Sequence, residues 1–478
     1  MKFSRSVRPA ALCGYGIRRR FPALRRLALS VAFATLASGA AHAQATANPD
    51  ANPEAPEADL AIQAQPSNFW TGIWSRQNLL GDMGGLRPWM GQYGFSFQLT
   101  ETSEYLANLR GGLNRGGTYD GLTTATLQLD TSKYFGVPGG LFNISALNIH
   151  GSNLSALNLG TLNTASGIEA QDTTRLWEMW YQQSFLNKRV DVKIGQQSLD
   201  QEFMVSQYAS LFVNTMFGWP GLPSYDLPNG GPAYPLSDLG VRLRGQINGS
   251  LTGLIGVFDA DPLGNDPNNL SGTNFNLHNG AMVIGELQYA INQPAEGDLV
   301  SADASKKLPG TYKLGFWYNS DSFADQQNSS IQHKGDYSFY AVADQMIWRP
   351  DPDEPRSIGV FARVMGAPSD RNEVSVSANL GIVMKAPFAG RDNDSVGLAL
   401  AYIKVSNDAA AADLAAGNVP RGSETALEAT YQYQVNPWWQ IQADAQYTFN
   451  AGAGQNPDNP TEALRNTFVV GLRTNITF

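Results

Sequence analysis

The stretch Glu424–Tyr447, ETALEATYQYQVNPWWQIQADAQY, decides the fold. Leu427, Ala429, Tyr431 and Tyr433 alternate with Glu428, Thr430 and Gln432. After the turn residues VNPW, Trp439, Ile441, Ala443, Ala445 and Tyr447 alternate with Gln440, Gln442, Asp444 and Gln446. Period two puts one set on each face of a strand. The two runs are therefore the arms of an antiparallel hairpin, apolar on one face and polar on the other.

The same pattern extends in both directions. Phe95, Phe97 and Leu99 alternate with Ser96, Gln98 and Thr100, and Val241, Leu243 and Ile247 with Arg242, Arg244 and Gln246. Sixteen such segments start near Phe95, Leu122, Leu141, Thr174, Arg189, Leu239, Leu251, Ala281, Thr311, Asp336, Ser357, Val376, Ser395, Glu424, Trp438 and Thr467. Those at Leu141, Leu251 and Val376 are ambiguous in face. An even count suits a single-chain outer-membrane barrel. Connections after even-numbered segments are short, as in FGVPGG, LNKR, NGS and VNPW; INQPAEGDLVSADASKKLPG is the exception. Those after odd-numbered segments are generally longer, the longest running from Ser198 to Asp238. This alternation predicts both termini on the periplasmic side.

Mean hydropathy is −0.25, and downstream of residue 43 no apolar stretch is long enough for a spanning helix. A closed barrel is the other way to pair every backbone group in a bilayer. The predicted fold is an all-β, sixteen-stranded transmembrane antiparallel barrel.

The ends carry addresses. Arg18, Arg19, Arg20, Arg25 and Arg26 precede the apolar run Leu27–Ala37 and the small-residue site Ala41-His42-Ala43. Residues 1–43 read as a cleaved secretory signal. Residues 44–68 read as a disordered acidic leader rich in Pro and Ala, and 69–478 as the barrel domain. The signal takes with it Cys13 and eight of the 33 basic residues, leaving 25 against 42 acidic ones, about −17. A cysteine-free, acidic exported chain argues against disulfides, thiol chemistry and nucleic-acid binding. At the other end, Phe468, Val470, Leu472, Ile476 and Phe478 share a face. A final strand ending in phenylalanine resembles the signal read by the barrel assembly machinery.

No catalytic motif appears. Glu101 and Glu104 suggest a paired-carboxylate site, but an offset of three puts them on opposite faces of a strand. No cofactor or metal site is expected. A sixteen-stranded barrel is wide enough for an aqueous channel. The 198–238 connection holds LFVNTMFGWPGLPSYDLPNGGPAYPLSDLG, whose apolar content needs a wall to pack against. It is read as a long infolded constriction loop, the alternative being a surface loop with Phe217 and Trp219 in a small core of its own.

Several segments resemble one family. GDMGGLRPWMGQYGFSFQLTETSEYLANLRGG (Gly81–Gly112), RLWEMWYQQSF (Arg175–Phe185), TMFGWPGLPSYDLPNGGPAYPLSDLGVRLR, LPGTYKLGFWYNSDSF, YAVADQMIWR and the opening hairpin are similar, in order, to the carbohydrate-selective outer-membrane porins of the OprB family. The resemblance implies passive uptake of small neutral sugars, glucose-like monosaccharides first, across the outer-membrane lipid. A general or anion-selective porin stays open, as does a non-conducting structural or adhesin barrel. Monomer and trimer also stay open. Candidate pathway residues are Arg87, Glu104, Arg110, Arg242, Arg244 and Glu286, with Trp177, Trp180, Phe217 and Trp219 as candidate sugar-stacking surfaces.

Overall fold

In the computed structural model, residues 72–264, 269–293, 307–351 and 354–478 are described. The predicted signal, the predicted leader and residues 69–71 lie outside the described residues. A short helix, α1 (Leu86–Gln92), leads into the first strand. Sixteen barrel strands follow among the described residues: β1 (Phe95–Arg110), β2 (Gly116–Asp130), β3 (Gly140–Gly151), β4 (Thr173–Phe185), β5 (Val190–Gln197), β6 (Asp238–Gln246), β7 (Leu251–Phe258) and β8 (Met282–Ile291). They continue as β9 (Gly310–Ala324), β10 (Gln332–Trp348), β11 (Ser357–Gly366), β12 (Val374–Lys385), β13 (Ser395–Val405), β14 (Ser423–Asn436), β15 (Trp439–Phe449) and β16 (Thr467–Thr477). Each pairs with its neighbours in sequence, and β16 closes on β1 from Thr100↔Thr477 to Arg110↔Phe468. Closure leaves no edge, so every strand finds two partners in the bilayer.

The strand count matches the alternation in the sequence. The largest departure in a start is β2, at Gly116 rather than Leu122. Its extra residues, Gly116 to Gly121, are glycine or polar apart from Tyr119. Beyond the apolar band no lipid demands alternation, so pairing continues without the pattern. Outside, Leu287, Leu314, Phe339, Val364, Leu380 and Leu398 are exposed. Inside, their chain neighbours Glu286, Lys313 and Arg363 are buried.

The seam is tied from the short-turn end. Arg87 donates to the carbonyl oxygens of Phe97 (2.8 Å) and Phe478 (2.5 Å). Trp438 donates through Nε1 to the Ile73 carbonyl at 2.6 Å.

The inner faces divide the lumen. From β7 to β13 they carry an apolar cluster, Leu254, Phe258, Met282, Ile284, Trp317, Val342, Phe361, Val383, Ala401 and Ile403, interleaved with the buried charges Glu286, Lys313, Asp344 and Arg363. From β14 through β16 to β6 they carry mostly polar groups, among them Glu428, Gln446, Arg473, Glu104, Asp120, Arg175 and Arg242. The connection between β5 and β6 packs its Phe203, Met204, Phe212, Met216, Phe217 and Leu222 against these apolar residues in one continuous cluster.

Candidate functional site

Two connections meet at the inner wall: residues 152–172, between β3 and β4, and residues 198–237, between β5 and β6. Thr215 donates its amide to the Thr164 carbonyl at 3.2 Å, and Gly167 its amide to Val213 at 2.9 Å. The Tyr225 and Tyr234 hydroxyls donate to the carbonyls of Leu162 and Ile168, each at 2.8 Å. Neither connection could hold its backbone in this place without partners, since buried amides and carbonyls are costly when unpaired.

The strands supply those partners as inward charges. Glu286 of β8 accepts from the Met204 amide at 2.8 Å and from the Tyr340 hydroxyl at 2.9 Å. Asp344 of β10 accepts from Ser206 Oγ at 2.7 Å and the Gln207 amide at 3.0 Å. Glu428 of β14 accepts from the Val213 and Asn214 amides at 2.6 and 3.0 Å. Glu424 does the same for Leu162 and Asn163 at 2.9 and 2.7 Å. Arg363 of β11 donates to the carbonyls of Met204 and Gly218 at 2.9 Å and of Met216 at 2.5 Å. Charged groups on widely separated strands thus grip the backbone of both connections, and charge-assisted bonds are the strong ones.

A second cluster forms where the connections face β1, β2, β4 and β16. Glu104 accepts from Arg473 Nε at 2.8 Å, and Arg473 also donates to Ser166 Oγ at 2.9 Å. The Trp177 and Tyr234 rings meet edge-on at 6.3 Å. Burial first, then the Glu104 and Asp120 carboxylates, push the Tyr234 hydroxyl above the ordinary tyrosine range, against the opposing charges of Arg175 and Arg473. Among the described residues Glu104 Oε1, Asp120 Oδ2, Arg175 Nε and Trp177 Nε1 have no hydrogen-bond partner.

The predicted residues fall into distinct places. Glu104 and Trp177 belong to the second cluster. Arg242 is buried in ion pairs with Asp191 and Glu202, and Arg244 lies 3.6 Å from Asp191. Burial works against the Glu202 carboxylate, yet Arg242 and Lys193 hold it below the usual range. Trp180 is covered by Lys193, whose ammonium sits 4.4 Å from the ring centre. Arg110 is exposed at the far end of β1. Glu286 holds the Met204 amide.

Three further candidates have these placements. Arg87 is engaged by the oxygens of Phe97 and Phe478 beside the seam. Phe217 is 2 % exposed and packs on Phe212 and Phe361 at 4.8 and 6.1 Å. Trp219 is 7 % exposed, with its Nε1 donating to Gly230. Both rings serve the cluster between connection and wall and present no free face for stacking. Sequence reasoning missed Asp120, Arg175, Tyr234, Arg363, Glu424, Glu428 and Arg473. For Glu424, Glu428 and Arg473 the signal was present, since each is an ionisable residue on a polar face. For Arg363 it was not, because Phe361 and Met365 share its face.

A sequence profile described as carbohydrate-selective porin, OprB family, matches residues 114–478. The chain belongs to this family. Porin B of Pseudomonas aeruginosa is 24% identical over 420 residues, covering 80% of this chain and 88% of the relative. A putative porin, QuiX, of Acinetobacter baylyi is 26% identical over 440 residues, covering 86% and 95%. The high-pH structure of Pseudomonas putida OprB superimposes with a TM-score of 0.73 at 23% identity, covering 85% of this chain and all of that one. Membership in the OprB family makes the barrel an outer-membrane channel rather than an enzyme.

Proposed function

We propose that the chain admits glucose-like monosaccharides by passive diffusion, along the polar wall of β1, β2 and β4 and past the two inner connections. The observation that carries this reading is the pair of half-buried rings Trp177 and Tyr234, set beside the buried charges of Glu104, Asp120 and Arg175. A sugar offers hydroxyls to charged side chains and apolar C–H faces to an aromatic ring, and this cluster offers both chemistries in one place. Its groups hold the solute by a few weak contacts, which permits release as well as entry. The connection 198–237 serves as the constriction, packed on the apolar cluster of β7–β13 and leaving the wall of β1, β2 and β4 to the solute. Surrounding lipid and, during biogenesis, an assembly machinery reading Phe478 complete the proposed partners.

Liposome swelling with sugars of rising size tests the reading. Rapid swelling with glucose that falls off steeply at disaccharides and beyond is the expected result. Equal rates for all sugars below a simple size limit, or strong ion selectivity with no block by glucose, would overturn it.

A further inference from the structure

At the end of the barrel from which the 198–237 connection enters, three segments meet around two acids. Asp226 closes the short helix Gly221–Asp226 of that connection. Asp336 lies near the start of β10. Asn372 belongs to the connection between β11 and β12, two residues before Val374 opens β12. All three are more than nine-tenths buried: Asp226 is 6 % exposed, Asn372 1 % and Asp336 0 %.

Each side chain spends one polar atom within the protein. Asp226 Oδ1 accepts from the Val374 amide at 3.0 Å. Asp336 Oδ1 accepts from Asn372 Nδ2 at 2.8 Å. That bond fixes which way the Asn372 amide points, because only its nitrogen can donate to a carboxylate. The other three oxygens, Asp226 Oδ2, Asp336 Oδ2 and Asn372 Oδ1, have no hydrogen-bond partner among the described residues. The Asp226 and Asp336 carboxylates are close enough to repel each other, and Glu373 adds to the repulsion on Asp226. The neighbouring guanidinium groups are engaged elsewhere. Arg371 gives Nε and Nη2 to Asp370, both at 2.9 Å, and Nη1 to the Gly335 carbonyl at 2.8 Å. Arg421 gives Nε to Asp413 at 2.8 Å and Nη1 to Glu373.

We propose that Asp226, Asp336 and Asn372 hold a calcium ion that staples the 198–237 connection to the barrel wall. Buried acceptors without donors are costly, and buried charge without a counter-charge is more so. All three unpaired atoms are acceptors, so the partner they call for is a donor or a cation. A water brings two hydrogens to three acceptors and no charge to two carboxylates. A divalent cation meets both needs. Oxygen ligands, with no thiolate or imidazole among them, select a hard ion. Calcium takes ~6–8 oxygens in flexible geometry, so backbone carbonyls and water would complete its shell. Magnesium demands a near-octahedral set and gives up its water reluctantly, which suits a buried site less well. One ligand comes from the connection inside the lumen, one from β10 and one from the connection before β12. The ion therefore acts on the position of the inner connection, and the proposal stands apart from the transport reading.

The test uses the full-length porin in detergent, stripped with EGTA and dialysed, with calcium alone as the probe. Equilibrium dialysis with radioactive calcium should find one ion per chain, with a dissociation constant of about 10⁻³ M or tighter. Asp226→Asn and Asp336→Asn should each weaken binding by about tenfold or more, since each removes a ligand charge. Asp370→Asn, at an acid already paired with Arg371, should leave binding unchanged. A second readout separates the ion from packing. Asp226→Asn keeps an acceptor for the Val374 amide and puts a donor where Oδ2 stood, so it should fold without the ion. With calcium about ten times above its dissociation constant, chymotrypsin should cut the unaltered chain between residues 199 and 237 about tenfold more slowly than in EGTA, by mass action. In Asp226→Asn the two rates should be equal. If that variant does not fold, as read from heat-modifiable gel mobility, the response of the unaltered chain to calcium and EGTA decides. No bound calcium, equal binding by Asp226→Asn, or equal affinity for magnesium would each overturn the proposal. A cleavage rate that follows pH and ignores EGTA would also overturn it, because two acids sharing a proton would then hold the contact. Sugar-dependent swelling is read separately, so failure here leaves the transport reading standing.

Discussion

Glu101 and Glu104, three residues apart on β1, face opposite sides of the barrel wall. Glu104 is bound inside by Arg473 across the β1–β16 seam at 2.8 Å, whereas Glu101 is bound outside by Ser103 and Thr123. Only the first can act on a permeating ion. Glu104→Gln should shift the reversal potential in planar bilayers away from cations, while Glu101→Gln should leave it unchanged. Equal effects from both substitutions would contradict this assignment.

Arg363 ties three backbone carbonyls of the 198–237 connection to β11. Each such charged bond is worth about 1.5–3 kcal/mol. Arg363→Met should loosen the connection, raise single-channel conductance and admit larger sugars. Limited proteolysis should cut between residues 199 and 237 in the variant first. An unaltered conductance together with unaltered protease resistance would show that the connection holds without this tether.

Trp177 offers the aromatic surface of the polar wall. Trp177→Ala should weaken half-saturation of current block by glucose about threefold to tenfold, equivalent to ~0.7–1.4 kcal/mol. Trp219→Phe, at a ring buried away from that wall, should change it little. The opposite ranking would move the stacking surface to the connection.

Arg87 joins the helix before the barrel to both sides of the seam. Arg87→Ala should cost about 1.5–3 kcal/mol and lower the temperature at which the barrel unfolds on heated gels. Conductance of the folded protein should stay as it was. A conductance change at constant unfolding temperature would put Arg87 on the pathway after all.

At the short turn before β13, the Asp394 carboxyl accepts from Arg391 Nε (2.8 Å) and Nη2 (2.6 Å), Tyr431 Oη (2.5 Å) and the Gln434 amide (2.9 Å). Burial raises its pKa, but these donors outweigh burial and hold it below the ordinary aspartate range. A depressed folded pKa contributes stability above the unfolded value, ~3.9. That contribution is lost as pH falls through the folded value. Hydrogen exchange at the Gln434 amide, corrected for intrinsic rate, should therefore stay protected from pH 7 to 5 and lose protection only below about 3.9. Loss between pH 7 and 5 would count against the carboxylate as the holding group.

Period two was legible in sequence because lipid acts on each strand locally. Leu427, Ala429 and Tyr431 must face it whatever the rest of the chain does. The strand count, the faces of Glu104 and Arg242 and the alternation of short and long connections all follow from that local rule. What lies inside the barrel does not. The faces of β7 and β12 were ambiguous because Leu254, Phe258 and Val383 point inward under the 198–237 connection, so both faces are apolar. Arg363 reaches Met204, 159 residues away, and Glu428 reaches Val213, 215 residues away. Such partners meet only once the barrel has closed. Closure decided that Phe217 and Trp219 are packing and that the polar wall belongs to Glu104, Arg175 and Trp177.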